Sequence, residues 1–308
     1  MNKIKPWISA FRLRTLPLSV SGIIVGSCFA YYNGFFDVLI FVFAILVTIS
    51  LQVLSNLAND YGDGVKGTDN EDRIGPERAL QSGDISPEQM IAAIKTNILI
   101  VILFVFLLIL SAFGTHNFLY SISFFILGLV CIFVAIRYTV GEGAYGYRAL
   151  GDIMVFIFFG LLSVLGTYFL YARRLDHVIL LPASAIGLLS AGVLNLNNMR
   201  DLVSDKAANK ITLAVKLGFK NAKLYHSFLI ITAILLTLIF GILYYRSPYN
   251  FVFVIVYVPL IKHLFRVSKT TEAKLLDPEL KVLALSTFAL AVLLGFGYIV
   301  NIITRCAF

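Results

Sequence analysis

Nine runs of apolar residues, each near the length that crosses a lipid bilayer, constrain this chain more than any other feature. They fall at roughly 16–34, 37–57, 91–113, 117–137, 151–171, 178–196, 224–245, 249–265 and 281–303. About 20 helical residues span a hydrocarbon core ~30 Å thick. In that core a backbone must satisfy its own polar groups, and runs of this length do so as helices. The eighth run carries Pro259 and Lys262 and spans only if Lys262 extends its ammonium to the interface. The expected fold is all-α, a polytopic membrane bundle of about nine transmembrane helices. Residues 1–308 are read as one domain, because no linker separates one set of spans from another. Composition agrees, since 59% hydrophobic and 14% charged residues exclude an ordinary soluble fold.

Charge supplies the orientation. All but four of the 25 Lys and Arg lie before the first run, in the segments joining an even-numbered run to the next odd one, or near the run ends that border those segments. The exceptions are Arg173, Arg174, Arg246 and Arg305. By the positive-inside bias, the amino terminus and the even-to-odd segments should be cytoplasmic and the carboxyl terminus outside. The net charge of +8 then reads as a topology signal that also favours anionic lipid head groups, with no nucleic-acid partner. Cys28, Cys131 and Cys306 form no CxxC pair, so neither a disulfide framework nor a zinc site is expected.

The residues capable of chemistry gather in those same segments. The first cluster runs from Asn56 to Asp69 (NLANDYGDGVKGTD) and follows directly on the second apolar run. If the helix continues to about residue 63, Asn56, Asn59, Asp60 and Asp63 share one face at i+3 and i+4 spacings. The second cluster, Asn197 to Asp205 (NNMRDLVSD), repeats Asn197, Asp201 and Asp205 at every fourth position. The two clusters lie about 140 residues apart and share the Asn-x-x-x-Asp spacing, as Asn59/Asp63 and Asn197/Asp201, which suggests a weak internal duplication.

Carboxylates at the mouth of a helix bundle repel one another and are costly near hydrocarbon, so such a cluster implies cations. Magnesium takes one or two carboxylates and completes its octahedron with water and phosphate oxygens, which suits two sparse acidic faces with a diphosphate between them. Lys66, Arg200 and Lys210 stand close enough in sequence to hold phosphate oxygens. The plain alternative is a solvated loop rich in turn formers. Two glycine patterns, Gly62-x-Gly64-x-x-Gly67 and Gly141-x-Gly143-x-x-Gly146, match a dinucleotide fingerprint but follow no strand. His116, His177, His226 and His263 are isolated and read as structural.

These motifs resemble the UbiA-type superfamily of intramembrane aromatic prenyltransferases, over nearly the whole chain. Three stretches carry the resemblance to the branch that prenylates 1,4-dihydroxy-2-naphthoate: Asn56 to Gly83, Tyr138 to Gly160, and Asn195 to Gly218. The segment Phe11 to Pro17 is similar too. Two departures stand out. Gly67 occupies the place of the last Asp of the general first motif, with Asp69 two residues later, a variant that the naphthoate branch shares. Gly141-Glu142-Gly143-Ala144 replaces a frequent Gly-Pro-x-Pro.

The resemblance implies a magnesium-dependent transfer of a polyprenyl group from polyprenyl diphosphate to the naphthoate, with decarboxylation, as a step toward menaquinone in the bacterial cytoplasmic (inner) membrane. It implies a catalytic set of Asp60, Asp63, Asp201 and Asp205, and metal ligands Asn59, Asp63, Asp69, Asn197, Asp201 and Asp205. Diphosphate contacts fall to Lys66, Arg200 and Lys210, and acceptor contacts to Arg14, Arg137, Tyr138, Arg148 and Asp152. Two other readings stay open. One is a member of the superfamily with a different aromatic acceptor. The other is a proton- or cation-coupled transporter, which would be expected to place its acids at mid-membrane on broken helices.

Overall fold

The computed structural model describes residues 4–68 and 74–306, the side chains of 301–306 excepted. Among the described residues nine helices are long and apolar enough to cross a membrane. They are labelled here α1 (Ile4–Tyr32), α2 (Val38–Val65), α3 (Pro87–Phe113), α4 (Phe118–Arg137), α5 (Gly151–Ala172), α6 (His177–Arg200), α7 (Leu213–Leu243), α8 (Pro248–Lys269) and α9 (Ala273–Val300). The described residues form no strand; one isolated parallel bridge pairs Arg148 with Ile211. The doubtful eighth span is present, beginning as a 3-10 helix at Pro248–Val256, and Lys262 is exposed.

Helix starts follow local chemistry. Asp37 caps α2 by accepting from the amides of Leu39 at 2.7 Å and Ile40 at 3.2 Å. Ser86 and Gln89 form a reciprocal capping box at α3, with Pro87 in the first turn where its missing N–H costs nothing.

Over half of the apolar window of α1, α6 and α9 is buried, 56% in each, against 11% for α4. The first three helices therefore form the centre and α4 the rim. α6 packs on α5, α7 and α9, and α1 on α9, α5 and α2. At the α5–α6 crossing Gly160 lies against Gly187 so closely that a Cβ on Gly160 would overlap the Gly187 backbone. The middle of α5, Phe156–Gly166, is wound as a π-helix, a wider turn often found next to functional sites.

Two interruptions shape the polar end of the bundle. α1 breaks where Arg12 takes a left-handed conformation (φ 48°) ahead of a 3-10 turn at Leu13–Thr15, and Pro17 lies in the first turn of the resumed helix. Asn56 of α2 donates to the Phe11 carbonyl at 2.9 Å and so satisfies one acceptor that the break leaves open. α6 stops at Arg200, and after Asp201 a short helix, Leu202–Ala207, continues at a new angle.

Candidate active site

α2 runs unbroken through the first motif to Val65, so Asn56, Asn59, Asp60 and Asp63 do share one face. The second motif is not continuous helix, yet the amide of Asp201 bonds to the Asn197 carbonyl at 3.0 Å and that of Asp205 to the Asp201 carbonyl at 2.8 Å. The i, i+4 pairing therefore survives the break and keeps Asn197, Asp201 and Asp205 in register.

The two motifs meet at Lys210. Its ammonium donates to Asp63 Oδ2 at 3.1 Å and lies 3.8 Å from Asp205 Oδ1. Asp63 is 2% exposed and Asp205 5%, so both acids are close to fully withdrawn from water while sharing one cation. Two buried carboxylates from chain segments 142 residues apart can be held this near each other only when positive charge lies between them.

The middle loop completes one side. The Tyr147 hydroxyl donates to Asp63 Oδ1 at 2.8 Å and pairs with Thr68 Oγ1 at 2.6 Å. With its only proton committed to Asp63, Tyr147 must accept from Thr68, giving a directed chain from Thr68 through Tyr147 to Asp63. The ring of Tyr147 also faces two ammonium groups, Lys66 at 4.2 Å and Lys210 at 5.5 Å from its centroid. Lys66 donates to the carbonyls of Thr139 at 2.7 Å and Gly141 at 3.1 Å, so it ties the loop to α2. Burial, partly offset by the charge of Asp63, holds its pKa below the ordinary lysine value. Thr139 in turn donates to the Ala58 carbonyl at 3.0 Å and approaches Asn59 Oδ1 at 3.3 Å. Gly62 makes room for this contact, because a Cβ there would lie 2.8 Å from the Thr139 backbone.

Several expected site residues have partners within the protein. Asp60 is enclosed by arginines, Arg12 in a close ion pair and Arg78 at 2.7 Å, and so serves as an anchor for two guanidinium groups. Arg200, expected at a diphosphate, is 1% exposed and engages Asp201 through two nitrogens at 2.7 and 2.9 Å, with Asn197 at 2.9 Å and Asp277 at 2.5 Å. It fastens the second motif to the start of α9. Of the three basic residues proposed for phosphate, Lys210 alone stands between the motifs. Asp69 lies outside the described residues.

The acceptor candidates divide as well. Arg14 is exposed beside the α1 break, Arg137 donates to the Glu142 carbonyl at 2.8 Å, and Arg148 is exposed and packs on Gly143. The structure does not bring these three together. Tyr138 and Asp152 do approach: Gly151, next to Asp152, lies against the Tyr138 ring. Burial holds the Tyr138 phenol well above its ordinary pKa, and the carboxylates of Asp152, Asp63 and Asp205 push it the same way. Tyr138 therefore lies near Asp152 and within range of the charges of both motifs.

Sequence reasoning passed over Arg12, Arg78, Tyr147 and Asp277. Each reaches its partner across a long stretch of chain, 48 residues for Arg12 and Asp60 and 84 for Tyr147 and Asp63. The available signal was that Arg12, Arg78 and Tyr147 fall within the stretches that carry the family resemblance.

Among the described residues no group of three or more His, Cys, Asp or Glu forms a closed metal site. The two acids that do meet, Asp63 and Asp205 across Lys210, offer oxygen donors and neither thiolate nor imidazole. Such a set suits a hard cation that draws its remaining ligands from water or substrate.

Nine helices of membrane-crossing length among the described residues, with two acidic motifs meeting at one end, define a multi-pass membrane protein with a polar site. Residues 19–276 match the UbiA prenyltransferase family, to which the chain belongs. It is 40% identical to the 1,4-dihydroxy-2-naphthoate octaprenyltransferase of Escherichia coli over 281 residues, 91% of each chain. It is also 40% identical to the enzyme of that name from Haemophilus influenzae, over 97% of each. Among solved structures, an apo UbiA homolog from Aeropyrum pernix superposes with a TM-score of 0.69 at 16% identity, covering 94% of this chain and 99% of the other. A UbiA homolog from Archaeoglobus fulgidus bound to DMAPP and Mg2+ gives 0.64 at 16% identity, covering 96% and 99%.

Proposed function

We propose that this chain transfers a polyprenyl group from polyprenyl diphosphate to 1,4-dihydroxy-2-naphthoate, releasing diphosphate and carbon dioxide. The product is the reduced form of demethylmenaquinone, one step from menaquinone. Relatives that share 40% of the sequence across nearly the full chain carry that acceptor in their names. The convergence of Asp63 and Asp205 on the Lys210 ammonium carries the reading at the level of chemistry.

Asp63 and Asp205 would hold Mg2+, with Asn59, Asn197 and Asp201 beside them; the ion, when bound, offsets the negative charge that builds on departing diphosphate. Lys210 moves from bridging two carboxylates to donating to phosphate oxygens, and the Lys66 and Tyr147 pair keeps the loop closed over Asp63. The allylic cation left behind requires a water-poor pocket with aromatic faces, and Tyr138 stands at the right place to supply one. The naphthoate ring carbon then bonds to the first carbon of the prenyl chain, and the carboxylate leaves as carbon dioxide.

The same reading sets the chain as a single domain in the bacterial cytoplasmic membrane, with the amino terminus and the site-bearing loops in the cytoplasm and the prenyl tail among membrane lipids. The test is prenyl transfer by purified protein with Mg2+ and a long polyprenyl diphosphate, offering 1,4-dihydroxy-2-naphthoate and 4-hydroxybenzoate separately. Product and carbon dioxide should appear with the naphthoate alone and vanish in an Asp63→Asn, Asp205→Asn double variant. Product from 4-hydroxybenzoate alone would move the acceptor, and full activity in the double variant would end the metal-site reading.

A further inference from the structure

Asp152 is a buried acid beside Tyr138 to which no side chain among the described residues donates a hydrogen bond. It is 3% exposed, lies in the first turn of α5, and neither of its carboxylate oxygens has a hydrogen-bond partner among the described residues. Every other buried acid near the motifs is paired: Asp60 with arginines, Asp63 with Lys210 and Tyr147, Asp201 with Arg200, Asp205 with Lys210. A buried carboxylate without a donor costs several kcal/mol, a penalty that a protein keeps where a ligand brings the donor. The surroundings restrict what that ligand is. Gly151 backs onto the Tyr138 ring and Leu194 of α6, and the Tyr138 phenol feels the charges of Asp152, Asp63 and Asp205 alike. A group that reached the Asp152 carboxylate would meet an aromatic and an aliphatic side chain there, and two oxygens able to accept a hydrogen bond.

We propose that Asp152 receives a ring hydroxyl of the aromatic substrate, the one ortho to the carbon that is prenylated. The inference rests on the acceptor reading given above. The chemistry balances as follows. When the ring π pair forms the bond to the allylic carbon, positive charge spreads to the ortho hydroxyl oxygen, and its proton passes to Asp152, leaving a ketone. Departure of the carboxylate as carbon dioxide returns its bonding pair to the ring. The oxygen, now an enolate, takes the proton back from Asp152, and the aromatic diol is restored. Asp152 ends as it began, an ionised carboxylate.

The experiment compares wild type with Asp152→Asn on three acceptors: 1,4-dihydroxy-2-naphthoate, 1-hydroxy-2-naphthoate and 4-hydroxy-2-naphthoate. Wild type should strongly prefer the diol over the analogue lacking the ortho hydroxyl. In the variant that preference in kcat/KM should fall by roughly ten- to a hundredfold, the range a hydrogen bond to a charged group supports. The KM for polyprenyl diphosphate should stay put. The melting temperature of the variant should equal or exceed that of wild type, since an amide is cheaper to bury than an unpaired carboxylate. An unchanged preference, or an equal loss on all acceptors with a lowered melting temperature, overturns the inference while leaving the prenyltransferase reading intact. Wild type inert toward all three naphthoates overturns the acceptor assignment and this inference with it.

Discussion

Tyr147 shows how much of the site is held by residues that are not acids. Its hydroxyl fixes one oxygen of Asp63 at 2.8 Å, which leaves the other to face Lys210. A ligating carboxylate held by a neighbour's hydrogen bond keeps its orientation at the metal, and removal of such support commonly costs 10–100-fold. Tyr147→Phe retains the ring near Lys66 and Lys210 and deletes the bonds of the hydroxyl to Asp63 and Thr68. A Mg2+ titration of prenyl transfer should show the half-saturating concentration rise by roughly 10- to 100-fold with little change in folding. An unchanged titration would assign Tyr147 to packing. Asp63 itself could be read from its spacing on α2. Its partner Tyr147 could not, because 84 residues separate them and nothing local to either records the contact.

Among elements, the helix-to-loop seam at α2 is the most tightly drawn. Gly62 has no side chain because the Thr139 backbone fills the space where one would stand. Gly62→Ala should force the 138–150 loop outward, carrying Tyr147 away from Asp63. A loss of about 1–3 kcal/mol is expected from overpacking, seen as a lower melting temperature in detergent, together with a fall in activity. Full activity at an unchanged melting temperature would show that the loop yields freely. The nine spans were legible in the sequence because an apolar run of bilayer length admits one backbone solution. The break in α1 at Arg12 was not. A left-handed arginine is tolerable only because Asp60 and Asn56, both distant in sequence, hold the turned segment.

At the scale of the whole molecule, three connecting segments close over one end of the bundle. Lys66 reaches the loop at Thr139 and Gly141, Tyr147 of that loop reaches Asp63, and Arg148 bridges to Ile211 beyond the second motif. This shared end is the one that carries most of the Lys and Arg. A membrane-impermeant maleimide should label Ser82→Cys and Lys206→Cys only in inside-out vesicles, and Arg174→Cys only in right-side-out vesicles; the reverse pattern would invert the orientation. That both motifs belong to a single site was legible from their matching spacing. Which side chain joins them was not. Lys210 looks in sequence like one more basic residue of a cytoplasmic segment, and only the fold brings it to Asp63, 147 residues away.

The ammonium of Lys210 also bears on the order in which ligands enter. Any divalent ion that approaches by itself competes with a tethered rival already seated between the acids, and the displaced lysine is left without a counter-charge. A metal arriving together with a diphosphate removes that handicap, because the phosphate oxygens offer the lysine a new partner in the same step. On the proposed function, ion and prenyl donor would therefore enter together, and an ion alone would bind weakly.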